Sequence, residues 1–315
     1  MTATSKTVVF FGNERLATGV TTPANTLRAL IENGYEVAAV VSHNEATASR
    51  KVRQLEVAAV AEEHGIPVLL PARPADIREQ LESYGAGIGV LAAYGKIVPE
   101  SIIDLFPHGI INIHPSLLPK HRGPIPLESV ILNGERETGV SIMQLVKAMD
   151  AGPVFGQTVI ELRGDESKQE LADTLLDAGG RMVVELLPDI LAGKAAAMPQ
   201  DDGAATYDEL IRKEDGALDF SKPAAQLERE VRAYLGWPGS TATAAGKEVV
   251  ITAAHALTET ALGSGASGKP GSIWRDGKQF GFYTSDGILA IDSLKPAGKG
   301  DMEAASFLAG YGNRL

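Results

Sequence analysis

GIGVLAAYG, residues 87–95, is a continuous apolar run that opens and closes on glycine. Such a run has no polar face, so it reads as a strand covered on both sides rather than as the edge of an open sheet. Working outward, similar runs stand at Thr7–Gly12 (TVVFFG), 36–42 (EVAAVVS), 66–70 (IPVLL) and 109–114 (GIINIH). Helical patterns separate them. Thr22 and Pro23 supply an N-cap and a first-turn proline for a helix running to about Asn33 and closed by Gly34, and further helices are expected at 57–63 and 75–84. This alternation predicts a doubly wound, mostly parallel, Rossmann-like α/β sheet. Residues 139–146 (GVSIMQLV) add a strand, 154–162 extend or flank the sheet, and 166–193 form a long amphipathic helix.

The 315 residues suffice for two domains, and their 44% apolar and 22% charged composition is that of an ordinary globular chain. The absence of cysteine excludes disulfides, thiolate nucleophiles, zinc–thiolate sites and iron–sulfur clusters. No apolar stretch of about 18 residues is present and the N-terminus has no secretory pattern, so a cytoplasmic protein without a membrane span is expected. The formal charge of −11 opposes non-specific attachment to nucleic acid. It is unevenly spread: residues 1–212 carry 18 basic and 28 acidic side chains, residues 213–315 carry 11 and 12. A nucleic-acid partner would therefore have to meet a local basic patch.

Residues 195–212 lack an apolar period and read as a linker between a first domain at 1–194 and a second at 213–315. The second begins with a helix at 224–235. Strand candidates follow at 248–253, 271–274, 280–284 and 288–294, with hairpin signals at Asp276-Gly277 and Asp286-Gly287. A small β-barrel of OB type is expected. GSGASG at 263–268 reads as a flexible loop; with no following Ser or Thr it is no phosphate loop.

The residues with the richest chemistry lie between 109 and 150. Asn112 and His114 are two apart on a strand, so their side chains leave the same face. Pro115 stops the strand behind His114 and leaves the imidazole at its carboxyl end, where open α/β sheets bind ligands. Asp150 also follows a strand, and Gly152 permits a tight turn behind it. An amide donor, an imidazole and a carboxylate can thus converge: the amide to meet a developing oxyanion, the imidazole to accept or stabilise a proton, the carboxylate to orient it. The same three residues would equally close a turn, cap a strand and cap a loop. The remaining histidines, His43, His64, His108, His121 and His255, read as surface or packing residues, and Trp237-Pro238 as core of the second domain.

The motifs NIHPSLLP (112–119), RG (122–123), TGV (138–140) and DAG (150–152) resemble the signature of the folate-dependent formyltransferases. The resemblance spans nearly the whole chain. It implies that Asn112, His114 and Asp150 form the catalytic set and that Ser116, Leu117, Leu118 and Pro119 contact a folate, with a cis bond before Pro119. It also implies that Tyr94 and Gly95, within the AYG run at 93–95, lie beside the pterin. HPSLLPKHRGPIP is more similar to the branch acting on methionyl initiator tRNA than to the shorter branch acting on glycinamide ribonucleotide. AQLE (225–228), WP (237–238), KPG (269–271), DGIL (286–289) and LKPAG (294–298) resemble that branch's tRNA-binding C-terminal domain.

The expected reaction moves the formyl group of 10-formyltetrahydrofolate to the α-amine of methionyl initiator tRNA, without a metal, in a monomeric enzyme. Its nearest rival uses the same donor on a nucleotide-linked amino sugar. Two segments depart from the family. Where Gly-Thr-Pro-x-Phe is usual after the first strand, and helps to form the methionine pocket, this chain has Gly12-Asn13-Glu14-Arg15-Leu16. The basic loop that meets the tRNA acceptor stem is reduced to Arg50, Lys51 and Arg53. Arg122, beside the site, is a candidate for substrate phosphate.

Overall fold

The computed structural model describes residues 6–43, 55–257 and 268–315. Arg50, Lys51 and Arg53, and all but the last residue of the glycine-rich loop at 263–268, lie outside the described residues. The chain forms two compact units: residues 1–127, 136–163 and 169–209 in one, residues 128–135, 164–168 and 210–315 in the other.

The first unit is built on a seven-stranded sheet of order β3-β2-β1-β4-β5-β6-β7. Strands β1 (Thr7–Gly12), β2 (Glu36–Val41), β3 (Val68–Leu69), β4 (Ile88–Ala92) and β5 (Ile110–His114) are parallel. The apolar runs become strands because helices cover them: Val8, Val9, Phe10, Ile88, Val90, Ile110 and Ile111 are all fully buried. The final two strands, β6 (Glu137–Gln144) and β7 (Val154–Glu161), are antiparallel to their neighbours. The outer half of β7 alternates exposed with half-buried residues, as suits an antiparallel strand at the edge of a parallel sheet. The first unit's helices are α1 (Asn25–Glu32), α2 (Glu56–Glu63), α3 (Arg78–Ser83), α4 (Glu100–Ile103) and α6 (Lys168–Leu191), whereas most of α5 (Pro126–Asn133) belongs to the second unit.

The start of α1 corrects the expected cap. Thr22 and Pro23 do not begin the helix; Ala24 takes a left-handed conformation (φ 62°) and helix starts at Asn25. Its free N–H groups are met from elsewhere, by the carboxylate of Glu14, whose Oε1 accepts from Thr26 N (2.7 Å) and Leu27 N (3.3 Å). A residue twelve positions upstream replaces the local Thr, and short-range rules cannot see it.

The second unit contains a six-stranded antiparallel sheet in which β10-β11-β12-β9-β8 pair in order and β13 pairs with β12. Its strands are β8 (Ser240–Ala244), β9 (Lys247–Leu257), β10 (Ile273–Asp276), β11 (Gln279–Tyr283), β12 (Ile288–Pro296) and β13 (Met302–Glu303). Helices α7 (Ala224–Ala233) and α8 (Ala304–Tyr311) pack Leu227, Val231 and Phe307 against Phe280, Phe282 and Leu289. Both Asp-Gly pairs lie at or beside the expected hairpin turns, at β10–β11 and β11–β12. Among the described residues no pairing joins β8 to β10; a barrel of OB type is itself only partly closed. Trp237 is 44% exposed, not core. The peptide bonds before Pro119 and Pro238 are both cis.

Candidate functional site

In the first unit the chain leaves β1 for β2 on one side and later returns to β4 on the other, so the strand order reverses between β1 and β4. Crevices at such a reversal, beyond the carboxyl ends of the strands, are where open α/β sheets take ligands. Close approach there excludes side chains: Gly12 ends β1 at φ +136°, and a Cβ on it would lie 1.8 Å from the carbonyl oxygen of Ala92. The crevice is a cleft of about 320 Å³. Its walls include Asn13 from the end of β1, His43 from the end of β2, Tyr94 and Gly95 after β4, and Asn112 and His114 on β5. Asp150 completes it from the β6–β7 connection.

The three polar groups expected to converge do so. Asn112 is buried on the cleft wall, and its carboxamide makes no hydrogen bond among the described residues. Its N–H groups are therefore available to a ligand oxygen. The Nε2 of His114 lies 2.8 Å from the backbone oxygen of His121. A carbonyl only accepts, so Nε2 carries the hydrogen and the lone pair of the neutral ring is on Nδ1. That nitrogen is 3.8 Å from Oδ1 of Asp150. The separation is too long for a direct hydrogen bond and short enough for the carboxylate to stabilise an imidazolium. Sequence reasoning had Asp150 orient His114; instead the His121 carbonyl orients the ring. The carboxylate is itself fixed by the N–H of Gly123, 2.9 Å from Oδ2. Asp150 has φ 47°, and the turn behind it requires Gly152, where a Cβ would lie 1.8 Å from the oxygen of Gln144.

The other expected ligand residues separate into two groups. Tyr94 and Gly95 line the cleft. Burial of Tyr94 pushes its hydroxyl up to about 12, so the group stays neutral. Ser116, Leu117, Leu118 and Pro119 are not on the cleft wall; Pro115 is. They form a braced loop in which Ser141 Oγ donates to Ser116 O (2.6 Å), Leu118 N donates to Ser141 Oγ (3.1 Å), and Gln157 Nε2 donates to Leu118 O (2.8 Å).

Arg122 does not face a surface where phosphate could bind. It is 1% exposed, and its guanidinium donates to Gln200 Oε1, Tyr207 Oη and Asp202 Oδ1 at 2.7 to 3.1 Å. Its charge is consumed inside the fold.

Sequence reasoning missed several residues here. His43, read as a surface or packing residue, lines the cleft and lies 2.7 Å from Tyr94 O through Nε2. His121, read likewise as surface or packing although its run of residues 120–122 adjoins the site, contributes through its backbone. The departing segment 13–16 forms one wall: Asn13, Arg15 and Leu16 all border the cleft. Arg15 is held by Glu56, with Nη2 to Oε2 at 2.6 Å. Between them Glu14 points away, fully buried, and desolvation raises its carboxyl from 4.5 to about 7. The position of His43, at the carboxyl end of an expected parallel strand, was the available signal. Nothing local marks a glutamate as a cap for a helix beginning eleven residues later.

An unpaired amide, a basic ring nitrogen and a carboxylate gathered in one cleft suit transfer of a small carbonyl group from one amine to another, and the fold and site together define an α/β group-transfer enzyme. Residues 7–187 match the formyl transferase family and residues 210–312 match its C-terminal domain. The chain belongs to the formyl transferase family. It is 36% identical, over 90% of both chains, to a protein of Roseiflexus castenholzii described as methionyl-tRNA formyltransferase. Its fold is similar to HypX from Aquifex aeolicus, solved in complex with tetrahydrofolic acid (TM-score 0.67, 20% identity, 96% of this chain). The chain spans about half of that protein, covering 47% of its length. The fold is also similar to an N-formyltransferase from Helicobacter canadensis, solved with folinic acid and dTDP-3-aminofucose (TM-score 0.65, 17% identity, 90% of this chain and 97% of that one). Among the described residues no cluster of three or more His, Asp or Glu could hold a metal, and no helix is long and apolar enough to cross a membrane.

Proposed function

We propose that this enzyme transfers the formyl group of 10-formyltetrahydrofolate to the α-amine of methionyl initiator tRNA, the product being N-formylmethionyl-tRNA for translation initiation. The observation that carries the reading is the likeness to a curated methionyl-tRNA formyltransferase over nearly the full length of both chains. The folate supplies an activated formyl carbon and departs as its secondary amine. The cleft fits such a group, because it offers apolar walls at Leu91 and Ile113 and an amide that makes no hydrogen bond among the described residues.

Asn112 donates to the formyl oxygen as negative charge develops there. His114 accepts on Nδ1 the proton released by the attacking amine, since Nε2 is committed to the His121 carbonyl, and returns it to the folate nitrogen as the bond from that nitrogen to the formyl carbon breaks. Asp150 stabilises the resulting imidazolium from 3.8 Å. Tyr94 and Gly95 border the folate, and the braced loop from Ser116 to Pro119 holds the wall behind it. Arg50, Lys51 and Arg53 contact tRNA phosphates. On this reading the enzyme works in the cytoplasm as a monomer.

The test is formyl transfer by the purified full-length chain to methionyl initiator tRNA and, in parallel, to a nucleotide-linked amino sugar. Turnover of the charged tRNA is the expected result. Formylation of the sugar nucleotide alone would overturn the acceptor assignment while leaving the donor chemistry intact.

A further inference from the structure

Residues 198–208 carry no apolar period, yet they are hydrogen-bonded along the first unit. Met198 and Val154 exchange both backbone hydrogen bonds at 2.8 Å. Two residues later the side chain of Gln200 uses every polar atom it has. Its amide nitrogen donates to Asp150 O and Gly152 O, each at 2.7 Å, while its oxygen accepts from Arg122 Nε (3.1 Å) and Nη2 (2.9 Å). Further on, Thr206 Oγ1 accepts from His121 N (2.8 Å), Arg122 N donates to Thr206 O and Asp208 N to Arg122 O. The Asp208 carboxylate takes the His121 ring at 3.1 Å. Among the described residues, the side-chain hydrogen bonds that Gln200, Thr206, Tyr207 and Asp208 make outside this segment all end on residues 121–122 or 150–152.

Those two stretches are the ones that set the proton-transfer geometry. His121 O fixes the ring of His114, and the turn at 150–152 fixes the carboxylate of Asp150 in a left-handed conformation that L residues rarely adopt. We propose that residues 198–208 are a strap that sets the His114–Asp150 distance, with Gln200 the positioning residue that ties the Asp150 turn to the buried Arg122. A glutamine suits the place because it presents two donors and one acceptor from a single neutral plane. Neither leucine nor glutamate does. The inference rests on the formyl-transfer reading of the cleft, but its test does not depend on which acceptor is used.

Steady-state kinetics of the full chain, on whichever acceptor the wild type prefers, compare Gln200→Leu, Gln200→Glu, Asp150→Asn and the double variant Asp150→Asn/Gln200→Leu. A misplacement of about 1 Å in such a site costs on the order of 100-fold in rate. Gln200→Leu is expected to lower kcat about 10- to 100-fold with KM for both substrates within about twofold. Gln200→Glu keeps the acceptor for Arg122 and loses the donors to Asp150 O and Gly152 O, so it keeps one half of the tie, releases the Asp150 turn, and is expected to lose kcat to a similar degree. In the Asp150→Asn background Gln200→Leu is expected to cost less than about twofold, because the carboxylate it positions has gone. A purely structural role would multiply the two losses. Wild-type kcat in Gln200→Glu, or losses that multiply, overturns the inference; a wild-type enzyme that formylates only the sugar nucleotide overturns the acceptor assignment and not the strap.

Discussion

His114 and His121 are joined by a hydrogen bond from the Nε2 of the first to the backbone oxygen of the second, at 2.8 Å. The bond decides which nitrogen of His114 is basic. It assigns proton transfer to Nδ1, the atom nearest Asp150, and makes the loop of residues 115–121 a structural part of the base.

Replacing His114 by alanine is expected to lower kcat about 10²- to 10⁴-fold, the range for loss of a positioned acid–base group, with folate affinity nearly unchanged. His114→Gln discriminates further. Its amide nitrogen can still donate to the His121 oxygen, yet it offers no basic atom at the Nδ1 position, so kcat is expected to stay as low as in the alanine variant. Single-turnover formyl transfer and equilibrium folate binding measure the two quantities; wild-type turnover in either variant removes the imidazole from the mechanism.

Asp150→Asn keeps an oxygen for the Gly123 N–H and removes the charge facing His114. A fall in kcat of about 10²-fold or more is expected with little change in KM. Thermal unfolding followed by circular dichroism should give a midpoint close to wild type, which separates loss of the imidazolium's partner from loss of the turn.

Asn112→Ala removes a donor that no protein group uses among the described residues, so its loss should fall on the transition state. About 10²- to 10³-fold in kcat is expected, the magnitude for one oxyanion donor. Asn112→Asp keeps the size and reverses the polarity facing the formyl oxygen, and its kcat should lie below that of the alanine variant. Equal rates in the two would show that the amide does not meet developing negative charge.

Arg122→Ala tests burial against nucleic-acid contact. Asp202 is 81% exposed, so that ion pair contributes little, and the loss falls on the hydrogen bonds to Gln200 and Tyr207. A destabilisation of roughly 2–3 kcal/mol in urea unfolding is expected. The dependence of tRNA affinity on salt should be unchanged, whereas neutralising Arg50, Lys51 and Arg53 together should flatten it. A flatter slope for Arg122→Ala would mean that the guanidinium reaches phosphate.

Glu14 gives a pH signature of opposite sign to that of a paired carboxylate. Its carboxyl is raised from 4.5 to about 7 by burial, so as pH climbs between those values the unfolded chain loses a proton that the folded chain still holds. Stability therefore falls through that window, by roughly 3 kcal/mol at most from the size of the shift, and is constant above it. Glu14→Gln removes this dependence while keeping an acceptor for Thr26 N and Leu27 N. Urea unfolding of the two proteins at pH 5 and pH 8 should show the variant gaining on wild type at the higher pH; a constant difference would mean that Glu14 ionises normally.

The strands were legible because burial on both faces leaves a continuous apolar run, as at β4 and β5, and the proline after His114 marked the strand's end. The expectation of a parallel arrangement held as far as β5. The reversal at β6 left no local mark, because an antiparallel strand such as β6, buried along most of its length between β5 and β7, reads like a parallel one. The cap of α1 was misread for a related reason: Thr22 is a sound local cap, and a carboxylate from the preceding loop took the place.

Sequence alone determined that Asn112 and His114 share a face at the carboxyl end of a strand, since alternation and the proline are properties of neighbouring residues. It also determined, through the motif from residue 112 to 119, the kind of chemistry to expect. Tertiary structure alone decided that Arg122 is buried among Gln200, Asp202 and Tyr207, that Glu14 caps a helix, and that the connector after α6 braces the Asp150 turn. Each of these joins residues through space across 12 to 85 positions of the chain, and the free energy of such a contact depends on desolvation and geometry that exist only once the chain has folded.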